Sequence, residues 1–258
     1  MGKCSLGAAL PIISALGAEA AALPTKILST HTGGFKGYAE LDLTDMMKKT
    51  AEHWKSIGIK FGAVYTGYFS KKEQIETALY VIDELAEKGA KIIVDPIMAD
   101  NGKLYSGFSE DFCGDISRLI SRADIITPNV TEALLLSKID YSPVQTKDML
   151  KEAALRLKDM GAKRVVITGA SLNENTVIYS YSGVKKDFTL EYEKLPGVFC
   201  GSGDVFCSCL TGLVLNNEGY CEAVKKAADF TDRCVKKTAL KGTPQYGLDF
   251  EACLREGI

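Results

Sequence analysis

Short apolar runs rich in β-branched residues alternate along the chain with stretches whose apolar positions recur every three or four residues. Phe61–Thr66 and residues 91–95, 123–127 and 164–168 predict short strands buried on both faces. Residues 71–88, 111–121, 131–137 and 146–160 carry the helical period, and Thr146 is placed to cap the last of these. After Thr168 the pattern changes. Residues 176–181 and 187–192 flank Gly183 and predict an antiparallel excursion. Helical spacing then returns over residues 204–215 and 221–237. Strands alternating with helices imply βαβ units and a mostly parallel sheet with helices on both faces. No repeat or linker interrupts the pattern, so residues 1–258 are expected to form a single α/β domain.

Composition narrows the function classes. A chain of 258 residues can bury one substantial core. With 46% apolar and 25% charged residues and no long uncharged apolar run, it has no transmembrane helix. A balance of 31 basic and 33 acidic residues lacks the cationic excess of a nucleic-acid binder. Eight cysteines form no C-x-x-C pair, and His31 and His53 offer no zinc spacing near them. Buried or half-buried thiols in a reducing cytoplasm are the expectation.

Chemistry is expected beyond the carboxyl ends of the strands, where open α/β sheets place their ligands. Three predicted strands end in polar turns: Thr66-Gly67-Tyr68, Asp95-Pro96-Ile97-Met98, and Thr127-Pro128-Asn129 followed by Glu132. Such carboxylates and amides suit a magnesium–phosphate group, and equally suit turning the chain and capping helices. Gly201-Ser202-Gly203-Asp204 opens the late apolar helix. Glycines there admit a phosphate close to the backbone, and the helix start offers it N–H groups. Asp204 is placed either to take a proton from an attacking hydroxyl or to serve as an N-terminal carboxylate. No Gly-Lys-Ser/Thr follows, so this is not a Walker loop. It also lacks the third glycine of a dinucleotide fingerprint.

In order, Ser29-Thr30-His31-Thr32-Gly33, Tyr65-Thr66-Gly67-Tyr68, Asp95-Pro96-Ile97-Met98, Thr127-Pro128-Asn129-Val130-Thr131-Glu132, Val166-Ile167-Thr168-Gly169 and Gly201-Ser202-Gly203-Asp204 resemble the motifs of the ribokinase superfamily. Within it the chain is most similar to the pyridoxal/pyridoxamine kinases. The resemblance implies a ribokinase-like three-layer α/β/α sandwich and an ATP- and Mg2+-dependent phosphorylation of a B6 vitamer at its 5′-hydroxymethyl group. By the same resemblance Asp204 is the base, and the amides of Gly201, Ser202 and Gly203 form the anion hole. Glu132 and Asp95 organise magnesium, partly through water. Asn129, Thr168 and Gly169 meet the nucleotide, while His31, Thr32 and Tyr68 line the B6 pocket. A homodimer in the cytoplasm is implied as well.

Three departures accompany the resemblance. Relatives open with a strand upstream of the segment that begins here at Gly2, Ser202 stands where threonine is commoner, and Ala99 where glycine is usual. Two other readings stay open: a hydroxymethylpyrimidine kinase of the same superfamily, and a weakly active B6- or nucleotide-binding protein.

Overall fold

The computed structural model describes residues 2–183 and 187–258. They group into two compact units, Met1–Leu43 with Lys194–Ile258, and Thr44–Glu193.

The first unit begins with α1 (Leu6–Ala15), which has Gly7 and Pro11 in its sequence and buries Ala8, Ala9, Ile12 and Ile13. Strands β1 (Lys26–Leu28) and β2 (Glu40–Asp42) pair as an antiparallel ribbon with Ile27 opposite Leu41.

The second unit carries the main sheet. Helix α2 (Thr44–Ser56) leads to β3 (Phe61–Thr66), and α3 (Lys72–Leu85) to β4 (Ala86–Val94). A small hairpin, β5 (Ala99–Asp100) with β6 (Lys103–Leu104), precedes α4 (Glu110–Ile120), β7 (Ile125–Ile126) and α5 (Val130–Leu136). Then come α6 (Lys147–Asp159), β8 (Val165–Leu172), β9 (Asn175–Tyr181) and β10 (Phe188–Glu193). The six strands run in the order β10-β9-β8-β7-β4-β3. β3, β4, β7 and β8 are mutually parallel, whereas β8, β9 and β10 meander antiparallel. The sheet is therefore mostly parallel, with the antiparallel excursion after Thr168 where the sequence predicts it.

Two expectations need correction. Phe61–Thr66 was expected to be buried on both faces, but Thr66 alone is buried, because β3 ends the sheet and is covered less than β4 or β7. The helix expected to reach residue 88 stops at Leu85. Ala86 is extended, Gly89 turns with φ 88°, and the pairing jumps from Phe61–Ala86 to Ala63–Lys91. Elsewhere the pattern holds. Ile93, Val94, Ile125, Ile126, Val165, Val166 and Ile167 are buried, and the Thr146 hydroxyl accepts the Met149 N–H at 3.2 Å to cap α6.

Back in the first unit, α7 (Ser202–Leu215) and α8 (Tyr220–Lys241) precede a 3-10 turn (Pro244–Tyr246) and α9 (Phe250–Leu254). α7 packs on both α1 and α8, and Gly212 makes room for Leu16, whose Cδ1 lies 2.5 Å from where a Cβ would stand. Every cysteine is a free thiol, buried or half-buried. Among the described residues no helix is long and apolar enough to cross a membrane.

Candidate active site

One cluster forms in the first unit at the start of α7. Gly201 takes a left-handed conformation (φ 78°, ψ 8°) as the helix N-cap. A Cβ there would stand 2.7 Å from the Lys3 carbonyl oxygen and 3.0 Å from Cys4 Sγ, so a side chain is excluded twice over. Ser202, Gly203 and Asp204 make the first turn, where amides lack a helical carbonyl and attract anions. Asp204 is half-buried. The dense protein around its carboxyl pushes the pKa above the ordinary carboxylate value, opposed by a hydrogen bond from the Ser5 N–H and by the proximity of His31.

The loop holding His31 and Thr32 belongs to this cluster. His31 Nδ1 accepts the Gly33 N–H at 3.1 Å, and Nε2 donates to the Gln245 carbonyl at 2.7 Å. These partners fix the tautomer and leave neither ring nitrogen idle. The ring stands edge-on to Phe35, with centroids 5.0 Å apart. Cys200 Sγ lies 3.9 Å from the Gly33 carbonyl oxygen, which seats the loop against the residue preceding Gly201. Thr32 is exposed. The structure thus seats the His31 loop against Cys200, just ahead of Gly201.

A second cluster forms in the other unit, at the carboxyl ends of β3, β4, β7 and β8. Asp95 is buried, its N–H bonded to the Thr66 carbonyl at 2.9 Å. The Thr66 hydroxyl beside that bond is buried without a hydrogen-bond partner. Asn129 caps α5 and shares a capping box with Glu132: Asn129 Oδ1 accepts the Glu132 N–H at 2.9 Å, and Glu132 Oε2 accepts the Asn129 N–H at 2.8 Å. Glu132 Oε1 accepts the Met98 and Ala99 amides at 3.0 and 3.4 Å, and Asn129 Nδ2 donates to the Ala99 carbonyl at 2.7 Å. Ala99 is fully buried in this arrangement. Thr131 holds the tip of the small hairpin, its hydroxyl accepting the Gly102 N–H at 3.0 Å.

Thr168 bridges to Asn129, and its N–H bonds the Pro128 carbonyl at 2.9 Å. The β8–β9 pairing shifts between Ile167 and Ala170, which lifts Thr168 and Gly169 (φ 66°) out of the ladder. Tyr68 lies edge-on to Phe108, which in turn packs on Phe112.

Burial raises the Glu132 pKa to about 8, with Asp100 adding like charge and the three backbone donors pulling it down. A buried carboxylate in this condition suits a nearby cation. No group of three or more His, Cys, Asp or Glu residues able to hold a metal occurs among the described residues. A magnesium ion keeps several waters and takes one or two carboxylates together with substrate phosphates. Glu132, Asp95 and the orphaned Thr66 hydroxyl are the groups present for it.

Sequence reasoning did not single out Ser5, Cys4 or Thr131. Their contacts join segments far apart in the chain, and the local pattern carries no trace of that. Ser5 ahead of an apolar run is an N-cap signal, but nothing in the sequence tells what its N–H bonds.

The profile of the phosphomethylpyrimidine kinase family matches residues 6–247. A Caenorhabditis elegans protein named for pyridoxal kinase is 30% identical over 183 residues, which cover 68% of this chain and 56% of that protein. The pyridoxine kinase of Bacillus subtilis is 30% identical over 184 residues, covering 70% of this chain and 66% of its own. The chain thus spans less than two thirds of the length of these curated relatives. A solved Bacteroides thetaiotaomicron structure named for phosphomethylpyrimidine kinase matches with a TM-score of 0.94 and 33% identity, over 99% of this chain and 89% of that one. An orthorhombic form of that protein is described with pyridoxal.

Proposed function

Because the chain belongs to the phosphomethylpyrimidine kinase family, we propose that it transfers the γ-phosphoryl group of ATP to the 5′-hydroxymethyl group of pyridoxal, pyridoxamine or pyridoxine. The observation that carries this reading is Asp204 in the first turn of α7, behind a left-handed glycine that no other residue can replace without a clash. The substrate hydroxyl oxygen attacks the γ-phosphorus, and the bond to the β,γ-bridging oxygen breaks. ADP leaves and Asp204 takes the hydroxyl proton. The amides of Gly201, Ser202 and Gly203 meet the transferred group's negative charge, helped by the positive end of the helix.

Asn129, Thr168 and Gly169 contact the nucleotide phosphates in this reading, and Asp95 with Glu132 holds magnesium through water. Bound magnesium supplies positive charge that neutralises the phosphates. His31, Thr32 and Tyr68 each contact the vitamer in this reading.

Support for the B6 ring comes from the pyridoxine kinase relative and from the related structure described with pyridoxal. The family's own name favours a second reading, phosphorylation of a hydroxymethylpyrimidine. ATP consumption measured with magnesium and each candidate substrate decides between them. Turnover is expected with a B6 vitamer, and Asp204→Asn is expected to lower kcat by about a hundredfold or more. Turnover with the pyrimidine alone moves the assignment to the second reading. Failure with every substrate removes both.

A further inference from the structure

The 3-10 turn Pro244–Tyr246 touches the His31 loop in two ways, although 214 positions separate His31 from Gln245. One contact is polar: His31 Nε2 donates to the Gln245 carbonyl at 2.7 Å. The other is aromatic. The Tyr246 ring packs tilted on Phe35 with centroids 5.7 Å apart, and Phe35 in turn stands edge-on to His31 at 5.0 Å. Tyr246 is 39% exposed, so a large ring outside the core makes this contact.

The turn itself is held from elsewhere. The Tyr246 carbonyl accepts the Lys3 N–H at 2.8 Å, and Gly247 pairs in parallel with Lys3. A Cβ on Gly247 (φ 99°) would stand 2.8 Å from the Lys3 carbonyl oxygen, so the two backbones lie in direct contact. The Lys3 ammonium reaches Asp249 at 3.3 Å and Glu251 at 2.6 Å, tying the segment that follows the turn to the same residue. None of these bonds uses the Tyr246 side chain. The His31 loop is built differently. Thr32, Gly33 and Gly34 are exposed, and glycines at 33, 34 and 37 make such a stretch costly in entropy to fix. Beyond its own Gly33 N–H to His31 Nδ1 bond and the Cys200 contact, its ring pair Phe35 and His31 leans on the turn.

We propose that Tyr246 is a positioning residue for the vitamer loop, its ring acting through Phe35 to hold His31 and Thr32 in place. The proposal rests on the kinase reading, in which those two residues contact the vitamer. A contact that serves substrate and transition state alike changes KM and leaves kcat.

Tyr246→Ala removes the ring and keeps the backbone bonds of the turn. KM for the vitamer is expected to rise about three- to tenfold, with kcat and the KM for ATP within about twofold. Tyr246→Phe is expected to keep the unaltered KM, because the ring and not the hydroxyl makes the contact. In a Phe35→Ala background, Tyr246→Ala is expected to add less than about twofold, since its route is already cut. An unmoved KM in Tyr246→Ala, a fall in kcat in its place, or full additivity with Phe35→Ala overturns the proposal.

Amide exchange reads the same anchor without turnover. The Gly33 amide is expected to exchange at least about fivefold faster in Tyr246→Ala, while the Lys3 amide, bonded to the Tyr246 carbonyl, keeps its protection. Equal Gly33 rates overturn the proposal. Loss of Lys3 protection overturns it too, because the whole turn has then loosened. Absence of turnover in the unaltered protein, with the Gly33 difference present, removes the kinase reading and leaves the Tyr246–Phe35–His31 anchor standing.

Discussion

Glu132 has two tasks that pull its protonation in opposite directions. As a strap it accepts the Met98, Ala99 and Asn129 amides; as a buried acid beside Asp100 it has a pKa raised to about 8. A folded-state pKa above the unfolded value means that the folded chain binds the proton more tightly. Stability from this group is thus fully present below pH 4.5 and falls as pH rises toward about 8. Thermal melts without magnesium are expected to show that decline, and melts with magnesium and nucleotide are expected to show less of it. Glu132→Gln turns an amide NH2 toward a backbone N–H on one side, with an expected loss of about 1–3 kcal/mol in a urea titration. Its half of this geometry was legible: Asn129 and Glu132 are three residues apart and form a capping box by local spacing. The bonds to Met98 and Ala99 were not, because they cross more than thirty positions. His31 shows the same division. Its motif marked the loop, but only the fold shows both ring nitrogens occupied, by Gly33 and Gln245.

Among the elements, α7 was readable from its apolar run and α6 from its period and cap. Thr146→Ala is expected to cost about 1 kcal/mol, measured by chemical denaturation, through loss of the bond from the Met149 amide. α1 escaped the reading because Gly7 and Pro11 suggest a loop and its mixed face shows no clean period. Its helical state comes from packing on α7. The early stop of α3 also lies beyond periodicity, since Glu87 and Lys88 continue the helical spacing while Gly89 turns the chain back. At the α7 start, local backbone and tertiary packing coincide. Gly201→Ala adds a Cβ at positive φ and against the Lys3 carbonyl, so it is expected to destabilise by about 1–3 kcal/mol and to depress kcat as well. Denaturation and steady-state kinetics on one sample check both effects.

At the scale of the molecule, residues near the start and near the end of the chain meet in one unit through a small ionic network. Lys241 and then Lys3 hold Asp249 below the ordinary carboxylate range despite partial burial. A lowered folded-state pKa gives stability that is present above the ordinary value and lost as pH falls through it. Acid unfolding of wild type beside Lys3→Met checks the sign: the variant is expected to be less stable near neutrality by about 0–1 kcal/mol, and the gap is expected to close at low pH. The parallel sheet with its antiparallel tail was legible from buried runs and Gly183. The grouping of residues 1–43 with 194–258 was not, since no composition change marks either boundary.

That grouping has a bearing on how the protein is made. Residues 44–193 form a continuous stretch with their own sheet, whereas α1 is completed by α7, which begins only at Ser202. At about 5–20 residues per second, α1 waits roughly 10–40 s after leaving the ribosome before its partner is synthesised. Throughout that interval α1, which buries Ile12 and Ile13 in the finished fold, lacks the helix it packs on most extensively. Translation speed and the chaperones that shield nascent apolar segments therefore bear on the yield of folded protein most strongly through this first helix.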